Sequence, residues 1–406
     1  MSKVNEFITG INYWPVHKAM YWWKDFDPQE VKDDFTRLAE HNFQVIRIFL
    51  TWEDFQPEPD KISPACLKNL QYTADIAASC NLQIMPTFFC GHMSGVNWMP
   101  RWMLKPGGRK GRFPVYSEGQ LYQTSTRSFY NEPEILEAEL LQIEHVCLSL
   151  KGHEAVNVYD LGNESSNCSI PAHREQARKW LELMSTAIRL YSDGAKVTLG
   201  MHAEDLEENR HLWPQDAALY CDFLCMHGYP FYLSWLEDNF DVHILPFLGI
   251  ITRWLSNNKP VLFQEFGAPS RPLIPPFPED NQIGLKCPLW SESLVSNYYL
   301  KALQLLYQEN MLGAFAWCSS DYHPQLWNKP PLEKNQHERH FGLFRHNGSP
   351  KPAATVFKEL NNYLTSVKHQ PDKHLWLADF NRDTFYGNPK ENLRKMYALY
   401  KQELSK

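Results

Sequence analysis

The feature that most restricts how this chain can fold is an alternation: eight short apolar runs are separated by segments with helical periodicity. The runs fall at residues 7–15, 44–52, 82–90, 156–165, 196–201, 223–229, 260–270 and 313–318. Between them, Asp27-Pro28-Gln29-Glu30 supplies an N-cap, a first-position proline and a glutamate three residues after the cap, and Val31, Phe35 and Leu38 give the helix that follows one apolar face. Ser63-Pro64 opens a second helix, and further helices are predicted over 133–150, 174–191, 242–256 and 291–309, with a last one after Pro350. Strands that alternate with helices pair in parallel, and eight of them close into a (β/α)8 barrel of the α/β class. Residues 1–368 are assigned to this barrel and 369–406 to a polar helical tail on or near it.

Two of the runs end in chemistry. In VNVYDLGNES, residues 156–165, a strand with alternating Val156, Val158 and Leu161 stops at Gly162 and delivers Asn163 and Glu164. In PVLFQEFGAPS, residues 260–270, Val261, Leu262 and Phe263 lead to Glu265. Paired carboxyls that flank a scissile bond are what glycoside hydrolysis requires, one to protonate the leaving oxygen and one to attack or to activate water. The other strands end in Arg47, His92, His202, His227 with Tyr229, and Trp317. Each of these residues alone is an ordinary packing or surface residue; their arrival at the same end of successive strands is what marks a site.

The long aperiodic segments, 91–132, 268–290 and 319–340, all follow strands, and in such a barrel those loops surround the functional face. The first carries Trp98, Trp102, Gly107-Gly108 and Tyr116, which suits a lid or subsite wall in which Trp98 or a neighbouring aromatic lines the cleft; an ordered structural insertion has the same composition. An aromatic content of 14%, with 14 Trp and 19 Tyr, supplies flat faces of the kind that stack on sugar rings.

Composition excludes other classes. The net charge of −7 includes one basic cluster only, KPGGRKGR at 105–112, so nucleic acid is not an expected partner. No apolar run reaches the ~18 residues that span a bilayer, and MSKVNEFITG has no apolar leader core, so the expected address is cytoplasmic and no membrane partner is expected. Nine scattered cysteines read as buried thiols; Cys221 and Cys225 near His211 and His227 are too isolated for a zinc site, and neither metal nor cofactor is expected.

At this point the chain resembles the retaining β-glycosidases of the large (β/α)8 clan that includes family 5 cellulases and mannanases. The resemblance rests on Arg47 after strand two, Asn163-Glu164 after strand four, His227-x-Tyr229 after strand six, Glu265 after strand seven and Trp317 after strand eight, and spans about residues 7–365. The segment HFGLFRHNGSPKPAA, 340–354, is similar to the way clan members leave strand eight. The resemblance implies Glu164 as general acid/base and Glu265 as nucleophile, with Arg47 and Tyr229 holding Glu265 anionic. It also implies Asn163 on the sugar 2-hydroxyl, His92, His202 and His227 on other hydroxyls, and Trp317 beneath the ring.

The wording NYWP…AMYWW, which contains Trp14, and WEDFQPEP at 52–59 look more like mannanase and mannosidase members, which makes an oligosaccharide with a β-mannoside the expected substrate and adds Trp14 and Trp98 to the candidate sugar contacts. A β-glucosidase or endoglucanase activity, an inverting mechanism with carboxyls roughly 6.5–9.5 Å apart, and a non-catalytic carbohydrate-binding barrel remain as alternatives. Endo or exo action and oligomeric state are not read from the sequence.

Overall fold

The computed structural model describes residues 7–276, 288–369 and 374–405. Eight parallel strands close a barrel: β1 Ile8–Asn12, β2 Val45–Phe49, β3 Gln83–Thr87, β4 Val158–Asn163, β5 Lys196–His202, β6 Leu224–His227, β7 Val261–Phe266 and β8 Gly313–Ala316, with β8 paired to β1. Nearly every strand residue is buried, because helices cover the outside while side chains fill the inside. Tight closure demands small residues: a Cβ on Gly200 would stand 2.7 Å from the Gly162 carbonyl oxygen and 3.0 Å from the Arg47 guanidinium.

The helix signals operate as read. Asp27 accepts from the Gln29 and Glu30 amides to start Pro28–Ala39, Ser63 accepts from Cys66 to start Pro64–Ser79, and Ser291 accepts from Leu294 to start Glu292–Gln308. Helices Pro133–Ser149, Arg174–Tyr191 and Ile244–Leu255 coincide with the predicted segments to within two residues. The strands are shorter than the apolar runs; Trp52 lies not in β2 but at the head of a short helix, Trp52–Phe55, where its indole donates to Gln56 at 2.8 Å.

Two segments differ from expectation. The 91–132 insertion is not irregular: His92–Met93, Val96–Trp98, Val115–Ser117 and Gln120–Tyr122 form a small four-stranded sheet in that order. The tail is not polar throughout, since helix Pro389–Leu404 buries Leu393, Met396 and Tyr400 and packs Tyr397 and Tyr400 on Phe247 with ring centroids 4.9 and 5.7 Å apart. Of the loop at 268–290, residues 277–287 lie outside the described residues. No described helix is long and apolar enough to cross a membrane, and the eight described cysteines are free thiols.

Candidate active site

At the C-terminal end of the barrel one buried arginine organises a layer of inward-pointing polar side chains. Register sets Asn12 on β1 beside Arg47 on β2, and Thr87 on β3 beside Asp160 on β4. Arg47 donates from Nη1 to Glu265 Oε1 at 2.6 Å and Asn12 Oδ1 at 3.1 Å, from Nη2 to Asp160 Oδ2 at 2.6 Å and Asn163 Oδ1 at 2.7 Å, and from Nε to Thr87 Oγ1 at 3.0 Å. Burial opposes its charge, but the flanking Asp160 and Glu265 carboxylates outweigh that and raise its pKa. Breaking such a satisfied buried ion pair leaves an uncompensated charge, so each partner fixes the others in place.

Strand irregularities then aim the two glutamates. Register shifts occur between Asp160 and Asn163 on β4, between Met226 and His227 on β6, and between Phe263 and Phe266 on β7, all next to the site. Glu164 itself has φ 49° and ψ 44°, a left-handed conformation that is costly for a glutamate and persists because its surroundings hold it. The Asn167 amide donates to Glu164 Oε2 at 3.0 Å, and the Tyr229 hydroxyl donates to Glu265 Oε2 at 3.0 Å. His227 Nδ1 lies 3.2 Å from Glu164 Oε1 and 3.5 Å from Glu265 Oε2.

Glu164, His227 and Glu265 each bring one atom to within 4.8 Å of the others, the sole cluster among the described residues with metal-ligand geometry. Arg47 at 2.6 Å already neutralises Glu265, which lowers the affinity of that cluster for a cation. Cys221, Cys225 and His211 form no such group among the described residues. Burial raises the pKa of both glutamates; at Glu265 the neighbouring His227 and Arg47 oppose the rise.

A cavity of about 330 Å³ sits over this pair, at the small end of the range for ligand pockets. Of the candidates from the sequence, Glu164, Glu265, His92, Asn163, His202, His227, Tyr229 and Trp317 line it, while Arg47 lies beneath in the buried layer. Asn163 also anchors the floor, donating to the His92 carbonyl at 2.6 Å. Two candidates are corrected. Trp14 is fully buried, stacked on Phe49 at 4.8 Å, and Trp98 packs on Tyr116 at 4.3 Å with its indole donating to the Met93 carbonyl; neither lines the cavity. The aromatic that the insertion does present is Phe113, whose ring lies 4.1 Å from His92.

Among the lining residues that escaped sequence reasoning are Asn167, Glu204, Arg112, Phe113, Tyr232 and Glu338. Asn167, three residues past Glu164 in the short turn Ser165–Asn167, carried a readable signal; the others depend on contacts between distant loops. Arg112 pairs through both terminal nitrogens with Glu204, which also accepts from Arg210 at 2.6 Å. Burial alone would raise the Glu204 pKa, but the Arg112 bonds with the charges of His202 and Arg210 hold it down at about 2.

No protein-family model and no curated protein matches this sequence. Solved structures do. A GH5_18 protein from Streptomyces cattleya, in complex with GlcNAc, shares 20% identity over 90% of this chain and 82% of its own, with a TM-score of 0.73. A GH5_18 glutamate-to-alanine variant from Bifidobacterium longum subsp. longum, in complex with Manβ1-4GlcNAc, shares 20% identity over 90% of this chain and 80% of its own, with a TM-score of 0.72. An exo-β-1,4-mannosidase from Opitutaceae bacterium strain TAV5 shares 24% identity over 88% of this chain and 60% of its own, with a TM-score of 0.70. This chain has the (β/α)8 barrel fold it shares with these three structures.

Proposed function

We propose that this chain is a retaining β-glycoside hydrolase acting by double displacement on a short β-mannoside, in a cytoplasmic setting consistent with its free thiols. The observation that carries the reading is that one carboxyl oxygen of Glu164 lies within 4.8 Å of one of Glu265, with His227 against both. Retaining enzymes hold their carboxyls roughly 5–5.5 Å apart, whereas inverting ones need roughly 6.5–9.5 Å to admit a water between them. The mannoside assignment draws on the GH5_18 variant whose complex holds Manβ1-4GlcNAc and on the mannosidase from Opitutaceae.

The roles follow from the charges. Arg47 at 2.6 Å and Tyr229 at 3.0 Å stabilise negative charge on Glu265, so the one proton of the pair resides on Glu164. Glu265 attacks the anomeric carbon; the glycosidic C–O bond breaks as Glu164 passes its proton to the leaving oxygen. The glycosyl ester removes the Glu265 charge, and Glu164, now less opposed, takes a proton from water as that water displaces Glu265. His92 and His202 face the cavity as partners for ring hydroxyls, His227 is engaged with Glu164 and Gln264, and Trp317 offers an apolar face.

A panel of aryl β-glycosides followed by ¹H NMR tests the reading. The aryl β-mannoside should turn over fastest and release the β-anomer first. Initial release of the α-anomer would overturn the retaining mechanism, a faster aryl β-glucoside would overturn the sugar assignment, and saturable binding without turnover would make this a carbohydrate-binding barrel.

A further inference from the structure

The insertion after β3 and the loop after β8 meet, although β1 and β2 lie between those strands in the barrel. Asn335 Nδ2 donates to the Ser94 carbonyl at 2.7 Å and Ser94 Oγ donates to Glu338 Oε2 at 3.1 Å. The two loops therefore meet across the barrel mouth over β1 and β2. At that junction, Glu338 lines the cavity while only 7% exposed. Tyr232 OH, itself 2.7 Å from His337 Nε2, donates to Glu338 Oε1 at 3.4 Å, and His337 Nε2 is 3.4 Å from the same oxygen.

A carboxylate presents about four acceptor positions, and the hydroxyls of a sugar ring are the donors that suit it in a cavity with aromatic walls. Glu338 reaches the cavity in the loop after β8, held between Ser94 of the insertion after β3 and Tyr232 after β6, and lines the cavity together with Glu164 and Glu265.

On the hydrolase reading above, we propose that Glu338 is a specificity-determining residue that accepts a hydrogen bond from a ring hydroxyl of the sugar bound over Glu164 and Glu265.

The test compares wild type with Glu338→Gln, which keeps the side chain's size, and with Ser94→Ala, which removes one of its supports. The substrates are the best aryl β-glycoside from the panel and its 3-, 4- and 6-deoxy analogues. On the parent glycoside Glu338→Gln should lose about 10- to 100-fold in kcat/KM, and Ser94→Ala less. With the one analogue that lacks the hydroxyl read by Glu338, wild type and Glu338→Gln should agree to within about threefold. An equal loss across every analogue would make Glu338 a structural part of the loop junction and overturn the assignment, as would no loss on the parent. Wild type inactive on every glycoside would instead overturn the hydrolase reading and this assignment with it.

Discussion

His227 Nδ1 faces Glu164 Oε1 at 3.2 Å, and that contact fixes where a proton can be. The Gln264 amide donates from Nε2 to Asp160 Oδ2 at 3.1 Å, so its oxygen is the atom 2.9 Å from His227 Nε2. His227 must then carry its hydrogen on Nε2 and offer a lone pair at Nδ1, and the contact with Glu164 is satisfied only if Glu164 is protonated. Burial, with the Arg47 charge beside it, lowers the His227 pKa despite the opposing Glu265, so the ring stays neutral near pH 7. Long-range ¹⁵N–¹H spectra of ¹⁵N-histidine-labelled protein should show His227 with a pyridine-type Nδ1 that does not titrate from pH 8 to 6. A cationic ring in that range would place the proton on the histidine and remove it from Glu164.

The two proposed glutamate roles separate by product. Glu265→Ala should abolish turnover of every glycoside, and azide entering the vacated space should give the α-glycosyl azide. Glu164→Ala should still form the glycosyl-enzyme from an activated aryl glycoside, which needs no protonation, then stall and be rescued by azide to the β-glycosyl azide. The opposite pairing of products would exchange the roles, and an unchanged rate would remove that residue from the mechanism.

How far the chain announced this site depends on how each residue reaches it. Arg47, Glu164, His227, Glu265 and Trp317 are carried by strand ends or the residues just beyond them, and a strand end is legible because the apolar run stops there. Asp160 was equally accessible: a carboxylate two residues from Val158 in a buried strand must point into the barrel and needs a cation, which Arg47 supplies. Arg112 and Glu338 enter through loops, and their partners Glu204 and Ser94 are 92 and 244 residues away, so no local pattern could pair them. Aromatic content counted Trp98 correctly as an aromatic of the insertion but could not say which face of a small sheet it occupies. The tail's apolar face, Leu393, Met396, Tyr397 and Tyr400 at helical spacing, was readable, but the lysines and glutamates between them obscured it.

Asn167 tunes the proposed acid through a single bond. Its Nδ2 donates to Glu164 Oε2 at 3.0 Å while its Oδ1 accepts from Arg210 at 2.9 Å, so the amide cannot turn over. A donor to a carboxylate favours the charged form, and its loss raises the pKa. Asn167→Ala should therefore move the alkaline limb of the kcat/KM profile, where Glu164 loses its proton, to higher pH. A limb that stays in place or moves down would show that this bond does not govern the acid.

The last expectation concerns stability. His340 is 3% exposed, and burial, reinforced by the positive charges of Lys351 and Arg339 and by His346 and His337, pushes its pKa down to about 3 from an ordinary 6.5. A histidine depressed in the folded state binds its proton more readily when unfolded, so the unfolded chain is favoured as acid is added. The contribution is fully present above pH 6.5, falls as the pH drops below that value, and levels off once it passes below about 3. His202, pushed down to about 4 by burial, acts in the same direction. In urea unfolding from pH 7 to 4, the stability of wild type relative to His340→Gln should fall by up to about 1.4 kcal/mol per pH unit, the equivalent of one proton, whatever that variant's stability at pH 7. Equal slopes in the two proteins would mean that His340 takes up its proton in the folded state at the same pH as in the unfolded chain.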